Sequence, residues 1–250
     1  MSPRDWDAGS YERVSAPLEA MGRDVLDRLE LRGDERVLDA GCGTGRVTAA
    51  LLERLPKGEV VAVDGSPAMV EAARERLGDA VELRVADLVE LTLDRPVDAI
   101  LSTATFHWIP DHEALFTSLR EVLKPGGRLV AQCGGAGNIA ALKAAAELVG
   151  EREPFADTLG GWPGPWNFAS TGETAERLRG LGWVDVWTWP QLVRVEPDDP
   201  HAYIGTVALG SHLDRLDADL RGPYIEAVLA ELDEPVVEYV RLNILARRAS

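Results

Sequence analysis

Asp39, Asp64 and Asp87 each follow a short apolar run, and the first leads into Gly41, Gly43 and Gly45 at alternate positions. Carboxylates at strand ends beside a glycine turn suit a polar ligand, because open α/β sheets bind ligands at the carboxyl ends of their strands. The spacing narrows the choice. A dinucleotide fingerprint reads G-x-G-x-x-G and sets a pyrophosphate on the next helix, whereas this turn reads Asp39-Ala40-Gly41-Cys42-Gly43-Thr44-Gly45. An acid two positions before the first glycine repels a pyrophosphate and suits a cationic group. The turn and the helix behind it offer N–H groups to an anionic one. A ligand with an ammonium, a carboxylate and no phosphate meets both demands, and S-adenosylmethionine has that form.

The elements that must position these residues follow from the apolar pattern. Val37-Leu38, Glu59–Val63, Val81–Val85, Val97–Ser102 and Gly127–Cys133 read as buried strands, with helices after the glycine turn and over residues 67–77. Pro67 sits in the first turn of the latter helix, a favoured place. Later come helices from about Ile139 to Glu151 and from Thr171 to Leu181, then a strand at Trp183–Trp189 that Pro190 and Pro197 punctuate. Its three tryptophans are expected on one face. Two further helices near His201–Asp214 and Asp217–Leu232 precede a last strand, Val236–Ala246. The expected organisation is an N-terminal lid helix (1–30), a Rossmann-like core (31–135), and the rest of the sheet with cap insertions at 136–170 and 197–235.

Composition bounds the class. A chain of 250 residues with 46% hydrophobic content has ample core for one large domain, and no apolar run approaches the roughly 20 residues of a membrane span. The N-terminal residues lack the apolar centre of a signal peptide. Two cysteines, Cys42 and Cys133, make neither a disulfide framework nor a metal cluster, so a cytoplasmic protein with reduced thiols and no metal is expected. The net charge of −16 argues against nucleic acid. The expected state is a monomer or homodimer acting on a small molecule.

The motifs resemble those of the class I S-adenosylmethionine-dependent methyltransferases. The acid-G-x-G-x-G turn comes first. Asp64-Gly65-Ser66-Pro67-Ala68-Met69 is similar to that family's D-x-S-x-x-M, Ala86-Asp87-Leu88 to its third strand end, and Lys124-Pro125-Gly126-Gly127-Arg128-Leu129 to its L-K-P-G-G-x-L turn. Phe106-His107-Trp108-Ile109-Pro110-Asp111-His112, the early Trp6 and Tyr11, and the closing Leu-Ala-Arg-Arg resemble trans-aconitate methyltransferase-like enzymes. The resemblance implies a Rossmann-like seven-stranded mixed sheet, order 3-2-1-4-5-7-6, with strand 7 antiparallel and a helical lid. It also implies methyl transfer from S-adenosyl-L-methionine to a small acceptor, leaving S-adenosyl-L-homocysteine.

In that frame Asp39 with Gly41, Gly43 and Gly45 holds the methionine end. Asp64, Gly65 and Ser66 take the ribose, and Met69, Asp87 and Leu88 the adenine. Tyr11 and Thr103 complete the cofactor set. Trp6, His107, Trp108, Trp162, Trp166, Tyr203 and His212 are the acceptor candidates, with Arg152, Arg194, Arg215 and Arg221 as scattered cations. The family analogy favours a carboxylate, which needs only positioning, while a hydroxyl or amine can need a general base. Where related chains often carry glutamine, His107 could orient the acceptor, act as that base or be structural. His112 is read as solvated. The aromatic lid keeps O- or N-methylation of an aromatic natural product open, as well as a non-catalytic cofactor-binding protein. An NAD-dependent oxidoreductase is disfavoured by the glycine spacing.

Overall fold

The apolar runs assemble into one sheet. The computed structural model describes residues 16–250 together with Gly9, Glu12 and Val14, so Trp6 and Tyr11 lie outside the described residues. The strands are β1 (Arg36–Ala40), β2 (Glu59–Asp64), β3 (Glu82–Val85), β4 (Val97–Thr103), β5 (Leu123–Gly134), β6 (Trp183–Val195) and β7 (Val237–Arg248). Their order is β3-β2-β1-β4-β5-β7-β6. Every pairing among β1 to β5 is parallel, and only β7 runs against its neighbours. The chain leaves β1 toward β2 on one side and returns to β4 on the other, which opens a crevice at the carboxyl ends of β1 and β4.

Helices cover both faces because parallel strands are buried on both sides. On one side lie α1 (Ala16–Leu26) and α2 (Arg46–Glu53), where Val25, Leu26 and Leu51 pack on Val37, Leu101 and Val130. Against the other face, α4 (His112–Val122) and α6 (Thr171–Gly180) bury Leu115, Phe116, Leu119 and Leu178 on Leu38, Ile100, Trp183 and Ile244. The Asp111 carboxylate caps α4, accepting from the Glu113 and Ala114 amides, while Ser170 and Glu173 form a capping box on α6. The remaining flanking helix, α3 (Pro67–Leu77), begins at the Ser66 cap.

Beyond the sheet ends a third cluster joins Met21 of α1 to α5 (Ala140–Gly150), α7 (Ala218–Ala230) and the segment between β6 and α7. That segment holds Pro200–Tyr203, a π-helical turn over Ile204–Ala208 and Gly210–Leu213.

Three expectations change. Strand β6 does not stop at Pro190 but continues to Val195, which an edge strand allows because the missing N–H faces no partner. A bulge between Val184 and Trp187, with Asp185 at φ +50°, breaks the alternation. Trp183 is therefore buried, its indole N–H donating to the Phe116 carbonyl at 3.3 Å, while Trp187 is 71% exposed. His112 is not solvated: it is buried, and its Nε2 bonds the Phe106 carbonyl at 2.9 Å.

Phe116 and Asp111 separate packing from capping. Phe116→Ala should lower unfolding free energy by about 3–5 kcal/mol through the cavity it leaves, and Asp111→Ala by about 1 kcal/mol through the lost cap. Urea denaturation of both variants measures the difference, and equal effects would contradict it.

Candidate active site

The crevice at the strand ends opens into a cavity of about 1040 Å³. Gly41, Gly43, Asp64, Gly65, Ser66, Met69, Asp87, Leu88 and Thr103 from the expected cofactor set line it. So do His107, Trp108, Trp162 and Trp166 from the acceptor set.

Its cofactor half is built around the turn after β1. Gly41, Gly43 and Gly45 all have positive φ, where side chains are strained, but their surroundings differ. A Cβ at Gly41 would overlap Thr105. At Gly43 it would meet nothing, because that backbone faces the cavity. Gly45 is a packing residue instead: a Cβ there would press on Leu77 and Ala73 of α3, and Gly45 is not part of the cavity wall.

Asp64 ties the turn to the next strand. Its carboxylate accepts from the Gly43 amide and from the Ser66 amide, both at 2.9 Å. Burial still raises its pKa. Met69, Ala86, Leu88 and Val89 form an apolar slot beside it, and Asp87 at the slot's edge accepts from the Val89 amide at 3.1 Å.

Asp39 does not reach the cavity wall, contrary to a direct grip on a ligand. It lies beneath the turn, 1% exposed, with Oδ2 accepting from the Thr48 hydroxyl at 2.6 Å. Its Oδ1 has no hydrogen-bond partner among the described residues. Burial, opposed by the Thr48 bond and aided by the Asp64 charge, raises its pKa to about 6. Among the described residues neither Asp39 nor Asp64 has a cationic partner.

Over the turn, Glu12 accepts from the Thr44 hydroxyl at 2.9 Å and pairs with Arg46 and Arg76, while Glu19 pairs with Arg46. These bonds hold the N-terminal helix across the site, and Leu18 of α1 enters the cavity wall.

The second half has the opposite electrical character. His107 is buried, and its Nδ1 accepts the Gly134 N–H at 3.2 Å. A backbone amide can only donate, so the neutral ring carries its proton on Nε2. Burial, with the Arg241 and His112 charges adding to it, holds His107 well below the ordinary imidazole range. This arrangement makes His107 a neutral N–H donor and leaves it no free lone pair for the base role. Arg241 of β7, 2% exposed, lies at the same wall, with Nε donating to the Gln132 side chain at 3.3 Å.

Aromatic rings surround this pair. Phe168 stacks on Trp166 (centroids 5.6 Å, 10°) and on His107 (5.8 Å, 30°), and Trp108 tilts against Trp166 at 6.4 Å. Arg215 lies 4.3 Å over the Trp162 ring at the wall and makes no ion pair among the described residues.

Two acceptor candidates fall outside the cavity wall. Tyr203 is buried with its hydroxyl 2.8 Å from that of Tyr239, so it supports Tyr239, which does line the wall. His212 is packed among the Trp162, Trp166 and Tyr224 rings, and burial lowers its pKa to about 4. It is a wall support. Of the scattered cations, Arg152 and Arg194 are engaged with Glu231 and with Glu196 and Glu234, and Arg221 bonds the Leu216 carbonyl. Arg241, Phe168, Asn138 and Tyr239 were missed. The signal for Arg241 was its position two residues from Asn243, between Tyr239 and Leu245 on one face of the last strand.

Comparison with known proteins gives the same direction. A family model for a methyltransferase domain matches residues 37–127. A trans-aconitate 2-methyltransferase of Methylobacterium nodulans is 31% identical over 98% of this chain and 98% of its own length. Another, from Azoarcus sp., is 32% identical over 82% of this chain and 88% of its own. Among solved structures, a Haemonchus contortus phosphoethanolamine N-methyltransferase 2 in complex with S-adenosylhomocysteine shares the fold. It superposes with a TM-score of 0.67 at 18% identity, covering 97% of this chain and 57% of that one. The chain belongs to the trans-aconitate 2-methyltransferase family, within the class I S-adenosylmethionine-dependent methyltransferases.

Proposed function

We propose that this methyltransferase transfers the methyl group of S-adenosylmethionine to a carboxylate of a small acid. The observation that carries the acceptor assignment is the pairing of a buried arginine, Arg241, with a neutral N–H donor, His107, at one end of a cavity whose other end is acidic. The names of the relatives, trans-aconitate 2-methyltransferases, support the same acceptor class.

The cofactor half fits a zwitterionic nucleoside. The Gly43 backbone is open to the cavity, and two carboxylates, Asp39 buried and Asp64 half-buried, stand without a cation among the described residues. Asp64 is placed for a sugar diol and Asp87 for an adenine amino group, with Met69 and Leu88 as the apolar slot. Asp39 acts through the turn by its field. When bound, the cofactor supplies an electrophilic methyl group on a sulfonium.

The chain's residues do the remaining work. Arg241 and the His107 Nε2–H hold the acceptor carboxylate, which is a nucleophile at neutral pH without help. Trp108, Trp166 and Phe168 exclude water and so strengthen both electrostatic interactions. No residue has to remove a proton. The division into an N-terminal lid, a core of residues 31–135 and cap insertions at 136–170 and 197–235 belongs to the same proposal, since Leu18, Trp162, Trp166, Val207 and Arg215 line the cavity from the lid and cap segments.

Asp64→Ala should weaken S-adenosylhomocysteine binding at least about tenfold, as expected for a lost charge-assisted pair of bonds, without changing acceptor KM. Calorimetry decides it, and unchanged affinity removes the ribose assignment. Asp39 gives a pH dependence of known sign. Its folded pKa of about 6 lies above the unfolded value, and a cationic ligand end favours the ionised form, so cofactor affinity should fall as pH drops through 6. In Asp39→Asn that dependence should vanish.

For His107, the wild-type rate with trans-aconitate at saturating S-adenosylmethionine should show no limb near pH 6.5. His107→Ala should raise acceptor KM about tenfold and leave the pH profile unchanged. A limb near pH 6.5 that disappears in the variant would restore the base role.

A further inference from the structure

Five polar side chains lie on the face of the sheet where apolar packing gives way to the cavity. On β5 that face runs Val130, Gln132, Gly134, and on β7 it runs Leu245, Asn243, Arg241. Gln132 stands beside Asn243 in the ladder and Gly134 beside Arg241. From β6 comes Gln191, opposite Arg241. The turn after α1 adds Arg28, whose guanidinium lies 5.4 Å over the Trp189 ring.

Their hydrogen bonds leave the amides one orientation. Arg28 can only donate, and it donates to the side-chain oxygens of Asn243 and Gln191. The Gln132 amide nitrogen donates to the same two oxygens, at 2.8 and 3.1 Å. Gln132 must then turn its oxygen the other way, toward Arg241 Nε, which bonds it at 3.3 Å. A cation at each end fixes every amide between them.

Resting on the carboxylate reading above, we infer that Gln132, Asn243, Gln191 and Arg28 are positioning residues that hold the Arg241 guanidinium in its acceptor-binding orientation. Holding Nε restricts rotation of the guanidinium, so its orientation is set by the sheet before any acid arrives. A preorganised donor binds tighter because its ordering is complete before binding. The relay also links the acceptor site to α1, so the N-terminal helix and the acceptor anchor are fixed together.

Gln132→Met keeps the volume and removes the oxygen that faces Arg241. With trans-aconitate and 3-phenylpropionate as acid probes, acceptor KM should rise about tenfold while the Kd for S-adenosylhomocysteine stays constant. Arg28→Met, which does not touch Arg241, should raise KM in the same direction. The second readout needs no acceptor. In arginine-¹⁵N-labelled protein the Arg241 Nε–H, assigned by its loss in Arg241→Met, should exchange slowly, and exchange fast in Gln132→Met and Arg28→Met. Gln191→Leu breaks the relay from the edge strand should Gln132→Met not fold.

Slow exchange that survives these substitutions, or fast exchange with unchanged KM, overturns the relay. If the wild type methylates neither acid, the carboxylate reading falls, and the exchange experiment still decides whether the relay holds Arg241. If Arg241→Met raises acceptor KM and Gln132→Met does not, only the relay fails.

Discussion

Two carboxylates at neighbouring strand ends, Asp39 buried and Asp64 half-buried at the cavity wall, with no cation between them among the described residues, are the constraint on which the site depends. Burying a charge without a partner is costly unless hydrogen bonds or a ligand compensate. Asp64 is compensated by backbone N–H groups, including Gly43 and Ser66, which also fix the turn's shape. Asp39 has Thr48 on one oxygen and, among the described residues, nothing on the other. The raised pKa of Asp39, to which the Asp64 charge adds, is the mark of a site that gains when a positive group enters. The turn thus does two jobs: it brings main chain close to the ligand at Gly43 and keeps an uncompensated negative field behind it.

The opposite end of the cavity reverses that polarity. Arg241 lies on β7, the one strand that runs against the others, and its ladder neighbour Gly134 is the residue whose amide fixes the His107 tautomer. The antiparallel strand therefore delivers a cation to the end of the sheet where the parallel strands present acids. Burial, with that charge adding to it, keeps His107 neutral, and the Gly134 amide on Nδ1 leaves Nε2–H as the donor. The proposed cationic donor and anionic acceptor would be drawn to opposite ends of one cavity, which would orient both without a dedicated acid or base.

Much of the fold was legible because each strand is either a continuous apolar run or bounded by glycine and proline, and the glycine turn marks the first crossover. The acidic half of the site was legible for the same reason: its residues sit at strand ends, at fixed spacing from that turn. The acceptor half depends on contacts between distant segments. Arg241 reaches the cavity wall beside His107 only because β7 pairs with β5. Tyr203 and His212 were reasonable candidates by type, yet their neighbours, Tyr239 and a group of three rings, turn them into supports. Local pattern also failed at Asp185, where one residue with positive φ shifts the register and sends Trp187 outward. None of these outcomes follows from a segment read alone.

A protein with a net charge of −16 that takes the proposed acid acceptor has to confine its attraction. At physiological ionic strength the field of exposed charges fades within about 8 Å, so the acidic surface weakens an acid's approach only modestly. Inside the cavity the balance changes, because a buried guanidinium acts through a low-dielectric wall of aromatic rings and is screened far less. Arg215, stacked on Trp162, adds a second cation to the cavity lining. In the proposed reaction, selectivity for a carboxylate thus rests on where two cations stand, not on the overall charge. The stacking of Trp166 on Phe168, and of Phe168 on His107, keeps that region dry enough to matter.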